Sequence, residues 1–150
     1  MARFTSELDE TFHSQASVER LRDHFSDLDA IIANYGHLER AERLGQRTVR
    51  FILPPKNHGV TRFDGCYTCE WTQVDASTIR WKTIGSDNNM WSDGEATFTT
   101  DGGRTAMRYR HTISIELSVN RMLAKMAGRV VSEVTRRELR AYVNRMLAVV

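Results

Sequence analysis

The chain has 150 residues, 41% of them hydrophobic and 27% charged, and a net charge of +2. That length suits one domain able to bury about 70% of its unfolded surface without disulfide or metal staples. No apolar run approaches a membrane span, and acids in the opening Met-Ala-Arg-Phe-Thr-Ser-Glu-Leu-Asp-Glu stand where a signal peptide needs apolar residues. The expected setting is cytoplasmic, with Cys66 and Cys69 as thiols.

Residues 3–12 alternate, with Phe4, Leu8 and Phe12 on one side, and predict a first strand. Ser14 or Ser17 can cap a short helix over 18–25, although Arg20 stands where a capping box needs an acid or amide. Ser26-Asp27 opens a second short helix through Leu28, Ile31 and Ile32, ending near Asn34-Tyr35-Gly36. Strands over 38–44 and 48–53 flank a turn at Gly45-Gln46, and Pro54-Pro55 ends the second of them. A loop at 56–59 leads to a strand over 61–74, where Phe63, Tyr67, Cys69 and Trp71 share a face.

Asp75-Ala76-Ser77 turns into a strand over 78–84 that has Ile79 and Trp81 in phase. A turn at 85–89 precedes a strand over 90–100, and Asp101-Gly102-Gly103 is a hairpin signal. The strand over 104–117 alternates cleanly, with Met107, Tyr109, His111, Ile113, Ile115 and Leu117 facing one way. Strands joined by tight turns favour an antiparallel meander with one wet face. The two short helices then plug one end of it.

Residues 119–150 contain no proline and one glycine, Gly128, and predict a single long helix. Its apolar residues fall in two rows: Val119, Leu123, Ala127, Val131, Leu139, Val143, Leu147, and Met122, Met126, Val130, Val134, Tyr142, Met146, Val150. Such a helix needs an apolar surface, and the strands before it supply one. Each step of four residues rotates the stripe by about 40°, so its two ends face nearly opposite ways. Either the helix bends near 136–138 or wraps a twisted sheet, or its last three turns meet a partner. That partner would be a second copy or a membrane surface reached beside Arg140 and Arg145, through Leu139, Tyr142, Val143 and Met146. The helix carries seven basic and two acidic side chains, a net of +5, while the rest of the chain is net −3.

Two stretches resemble the START-related helix-grip (SRPBCC) superfamily, which includes polyketide cyclases, coenzyme Q-binding proteins and plant lipid-binding allergens. The first is the opening strand running into Ala16-Ser17-Val18-Glu19-Arg20-Leu21 and Phe25-Ser26-Asp27. The second is Gly94-Glu95-Ala96-Thr97-Phe98 followed by Gly103-Arg104-Thr105-Ala106-Met107-Arg108-Tyr109 and the terminal helix. Leu28-Asp29-Ala30-Ile31 stands where that family often carries a proline and a tryptophan. The resemblance covers the whole chain. It implies an α+β helix-grip fold: a curved seven-stranded antiparallel sheet around the last helix, with an internal cavity for an apolar or amphipathic molecule.

Chemistry-bearing residues are few. Cys66-Tyr67-Thr68-Cys69 is a CxxC, but residues three apart on a strand point to opposite faces, so Cys69 is expected inward and Cys66 outward. No metal-ligand spacing, nucleotide-binding glycine loop or cofactor fingerprint occurs, and no metal or cofactor is expected. The expected ligand site joins Tyr67, Trp71, Trp81, Tyr109 and His111 from the sheet with Met122, Met126 and Val130 as the helical wall. The function this favours is binding, sequestration or transport of a lipid, isoprenoid quinone or polyketide. The alternative is a cyclase, aromatase or dehydratase with His111 as acid–base, for which Glu10 is the one other candidate. The basic helix could instead meet nucleic acid, but the strands lack a clustered basic–aromatic face, so nucleic acid is not the expected partner.

Overall fold

A computed structural model describes residues 1–58 and 61–150. The first strand, β1 (Ala2–Ser14), pairs antiparallel along its whole length with the last, β9 (Arg104–Leu117), from Ala2 opposite Leu117 to Ser14 opposite Thr105. β9 also pairs with β8 (Met90–Asp101) across a turn in which Gly102 and Gly103 have φ of 57° and 84°. Only glycine adopts that backbone without strain, and it matches the twist of the flanking strands.

The meander continues through β7 (Thr78–Thr83), β6 (Cys66–Asp75), β3 (Thr48–Ile52) and β2 (Arg40–Arg43). The sheet has seven antiparallel strands in the order β1-β9-β8-β7-β6-β3-β2. Side chains alternate across a pleat, so inward residues such as Val49, Phe51, Tyr67, Cys69, Trp71, Ile79, Trp81 and Tyr109 form one continuous core.

The expected loop at 56–59 and the single strand over 61–74 are both corrected. Lys56–His58 is a strand, β4, paired antiparallel with β5 (Thr61–Phe63) as a separate two-stranded sheet; Gly59 lies outside the described residues. Asp64-Gly65 then breaks the chain before β6. A Cβ on Gly65 would sit 2.9 Å from Phe63 Cε1, so the ring of Phe63 folds back over a position only glycine leaves clear.

Ser17 caps α1 (Val18–Phe25), its Oγ accepting the Arg20 N–H at 3.1 Å, and Asp27 caps α2 (Leu28–Asn34) by accepting the Asp29 N–H at 3.1 Å. Their apolar faces, Leu21, Phe25, Leu28 and Ile31, are buried and close one end of the curved sheet.

The helix α3 (Arg121–Ala148) starts at Asn120, whose side chain accepts the Leu123 N–H. Its second half is held by Val131, Leu139, Val143 and Met146, all buried. Polar clamps surround that contact. Arg136 donates to the Glu7 carbonyl at 3.1 Å, Arg140 to the Glu10 carboxylate at 3.0 Å, and Arg145 to the carbonyls of Asn34 and Tyr35. His24 Nε2–H donates to the Met146 carbonyl at 2.8 Å.

This reverses one expectation. Leu139, Val143 and Met146, offered as a partner surface, belong to the core because β1 and the two short helices cover that end; Tyr142 is half-buried there. Met122, Met126 and Val130, offered as the pocket wall, are 88%, 71% and 60% exposed. Early in the helix Ala124, Ala127 and Gly128 are half-buried, Gly128 beside the ring of Phe4, while Met122, Met126 and Val130 lie on the outward side. Among the described residues no helix is long and apolar enough to cross a membrane.

Candidate ligand cavity

Between α3 and the concave face of the sheet lies a cavity of about 150 Å³. Its floor comes from inward residues of five neighbouring strands: Phe51 on β3, Tyr67 and Trp71 on β6, Trp81 on β7, Met90 and Ser92 on β8, and Tyr109, His111, Ile113 and Ile115 on β9. Val131, Val134, Thr135, Glu138, Leu139 and Tyr142 form the helical wall, with Ile31 and Tyr35 at one end.

The register explains how the polar cluster is assembled. Trp81 stands opposite Gly94, and Gly94 stands opposite His111, on three consecutive strands. A Cβ on Gly94 would strike the Trp81 ring and lie 2.6 Å from the Arg110 carbonyl oxygen. Without that carbon the indole lies over Gly94 and reaches His111, with ring centroids 5.2 Å apart.

His111 is gripped on both nitrogens. The Tyr109 hydroxyl lies 2.7 Å from Nδ1 and the Ser92 hydroxyl 2.7 Å from Nε2. Burial lowers the His111 pKa to about 3, so the ring is neutral across the physiological range. A neutral imidazole has one N–H and one lone pair. Either Tyr109 donates to Nδ1 while Nε2–H donates to Ser92, or Ser92 donates to Nε2 while Nδ1–H donates to Tyr109. Three hydrogens serve two bonds, so one hydroxyl hydrogen is always left over. The indole Nε1 of Trp81, also buried, has no partner among the described residues.

The remaining polar groups are uncharged. The hydroxyls of Tyr35 and Tyr67 lie 2.7 Å apart. Burial holds the phenols of Tyr35, Tyr67, Tyr109 and Tyr142 above their ordinary range, and likewise the thiol of Cys69. Among the described residues, charge in the lining occurs at the rim, where Lys56 of β4 and Glu138 of α3 pair at 3.1 Å with both side chains about half exposed. The cavity reaches the surface beside that pair.

Five of the residues expected from the sequence, Tyr67, Trp71, Trp81, Tyr109 and His111, meet in this cavity. Met122, Met126 and Val130 do not. Glu10 faces the helix side of β1, but its carboxylate is held by Arg140 and takes no part in lining the cavity. Ser92, Tyr35 and the rim pair were not anticipated. Ser92 had a signal, being in phase with Met90 and Phe98 on an alternating strand; Tyr35 had none, since it follows a short helix at a turn. Cys69 is inward and buried, and Cys66 is half-buried. Among the described residues no three His, Cys, Asp or Glu side chains come together as a metal site.

No protein-family model matches the sequence, and a search of curated proteins gives no significant match. Solved structures do match. The Zhui aromatase/cyclase from Streptomyces sp. R1128 superposes with a TM-score of 0.67 at 15% identity, covering 96% of this chain and 92% of that one. Norcoclaurine synthase from Thalictrum flavum gives 0.65 at 12% identity, covering 99% and 96%. A START superfamily protein from Mycobacterium smegmatis gives 0.58 at 13%, covering 95% and 97%. With a seven-stranded curved antiparallel sheet, two short helices after the first strand and a long closing helix, the chain shares the START-like helix-grip fold of these structures.

Proposed function

We propose that the protein binds one hydrophobic small molecule whose buried end is a ring or chain bearing an uncharged hydrogen-bond acceptor, such as the carbonyl of a quinone, ketone or ester. The observation that carries this reading is the surplus of donors in an uncharged interior. One hydroxyl hydrogen of the Ser92–His111–Tyr109 cluster and the Trp81 Nε1–H lack acceptors among the described residues. An unmatched buried donor costs about 1–3 kcal/mol, and a ligand oxygen removes that cost.

Size refines the reading. Ligand pockets usually span about 300–1,000 Å³, so a cavity of about 150 Å³ takes a ring-sized group rather than a whole lipid. A longer tail would leave past Lys56 and Glu138. An aromatic-sized group buries about 150–250 Å², a gross gain of roughly 4–6 kcal/mol at about 25 cal/mol per Å².

The same chemistry disfavours acid–base catalysis through His111. A histidine with a pKa near 3 is a weak base at neutral pH, and Glu10 is engaged elsewhere. A polyketide, an isoprenoid quinone or a lipid with a ring-sized head each carries such an acceptor, and the fold shared with an aromatase/cyclase is compatible with a guest of this kind.

The test is competition between matched ligands. A neutral naphthoquinone and a naphthoic acid of similar size are titrated at neutral pH by intrinsic tryptophan fluorescence. The quinone is expected to bind at least about tenfold tighter, because a carboxylate would enter a cavity without a cation. Equal or preferential binding of the acid would overturn the uncharged-acceptor reading.

A further inference from the structure

We propose that the first ten residues of α3 are a docking surface for an anionic lipid bilayer, a role separate from ligand binding in the cavity. Met122, Leu123, Met126 and Val130 are 88%, 38%, 71% and 60% exposed and form one row about 12 Å long on the outward side of the helix. Arg121, Lys125 and Arg129 run along one edge of that row, all exposed. No acid occurs in the helix before Glu133, and the positive end of the helix dipole lies at Arg121.

These three cations differ from the basic residues further along. Arg136, Arg140 and Arg145 are spent on clamping the helix to β1 and α2. Among the described residues, Arg121, Lys125 and Arg129 make no side-chain hydrogen bond or ion pair. An apolar row beside unneutralised cations is the pattern of a helix lying in a bilayer interface: the row enters the acyl boundary while the cations meet anionic headgroups.

Charge complementarity selects this occupant. A second copy pairing through the same row would bring six cations together with no acid of either helix before Glu133 to offset them. A nucleic acid would satisfy the cations but leave Met122, Met126 and Val130 facing phosphate, with no aromatic ring on the row for base stacking. A bilayer containing anionic lipid satisfies both the apolar and the charged components.

The test is co-sedimentation of the full chain with large vesicles of phosphatidylcholine alone, or with about one-third phosphatidylglycerol, at low and high salt. Binding to the anionic vesicles is expected, with at least about tenfold less to phosphatidylcholine and a marked loss at high salt. Met126→Asp and the double variant Lys125→Glu/Arg129→Glu should each lower binding about tenfold or more. Arg137→Glu, exposed and outside the row, should leave it nearly unchanged. All four positions face solvent, so circular dichroism is expected to match the parent. Absence of binding to anionic vesicles at low salt, binding undiminished by Met126→Asp, or a stable dimer that Met126→Asp dissolves would each overturn the proposal.

Discussion

Gly94 shows how a missing side chain can organise a site. It stands between Trp81 and His111 on three adjacent strands, and a methyl group there would collide with the indole and with the Arg110 carbonyl. Gly94→Ala is therefore expected to destabilise the fold by about 1–3 kcal/mol through overpacking. It should also shift tryptophan fluorescence, since Trp81 must move; urea denaturation followed by fluorescence reads both. His111 supplies a second prediction. Folded, it stays neutral down to about pH 3; unfolded, it takes up a proton near pH 6.5. Between those values the unfolded chain binds more protons, so the contribution of His111 to stability is intact above about pH 6.5 and is lost as pH falls. The slope is at most about 1.4 kcal/mol per pH unit. His111→Gln is expected to show a shallower fall in stability than the parent between about pH 7 and pH 5, measured by chemical denaturation. At this scale the sequence was informative where period-two alternation operates: His111, Tyr109, Tyr67 and Trp81 all point inward as the pattern requires. Alternation cannot tell which inward groups touch, so the Ser92–His111–Tyr109 cluster waited on the strand register.

The elements divide the long helix into two halves with different energetics. In the second half, Met146 is fully buried among core side chains, and Met146→Ala is expected to cost about 2–5 kcal/mol. In the first half Met126 is 71% exposed, and Met126→Ala should change stability by no more than about 0.5 kcal/mol. Thermal or urea unfolding of the two variants decides between this division and one in which the apolar stripe is covered throughout. The rim pair offers a kinetic counterpart. Lys56 and Glu138 are exposed, so Lys56→Ala should alter stability by under about 1 kcal/mol while accelerating ligand release, because one closure of the cavity mouth is gone. Stopped-flow dissociation of a bound fluorescent ligand measures that rate. The helix itself was legible from its composition, but which half the protein covers was not. A stripe at helical spacing records that something apolar lies against it, and both Met122 and Met146 satisfy that pattern equally. Their fates differ because β1, α1 and α2 wall in only one end. The pairing of β4 and β5 was hidden for a related reason: three-residue strands are too short to show a period.

For the whole molecule, topology follows from local signals that agree. Tight turns at Gly102-Gly103 and at 85–89 force antiparallel neighbours, the caps at Ser17 and Asp27 fix two short helices, and the crossover they make returns β1 beside β9. What local signals do not encode is the space left over. The hollow exists because Ser92 and Thr135 are small where a larger residue would have filled it, and no residue pattern advertises a volume. The most direct test is to fill that space: a neutral, environment-sensitive dye is titrated into the parent protein and into Thr135→Trp, whose new indole would project into the cavity from the helical wall. Saturable binding at one site per chain in the parent, and its loss in a folded Thr135→Trp, is the expected result. Binding of equal strength in both proteins, or none in the parent, would contradict the idea that the hollow beneath the helix is where this protein holds a guest.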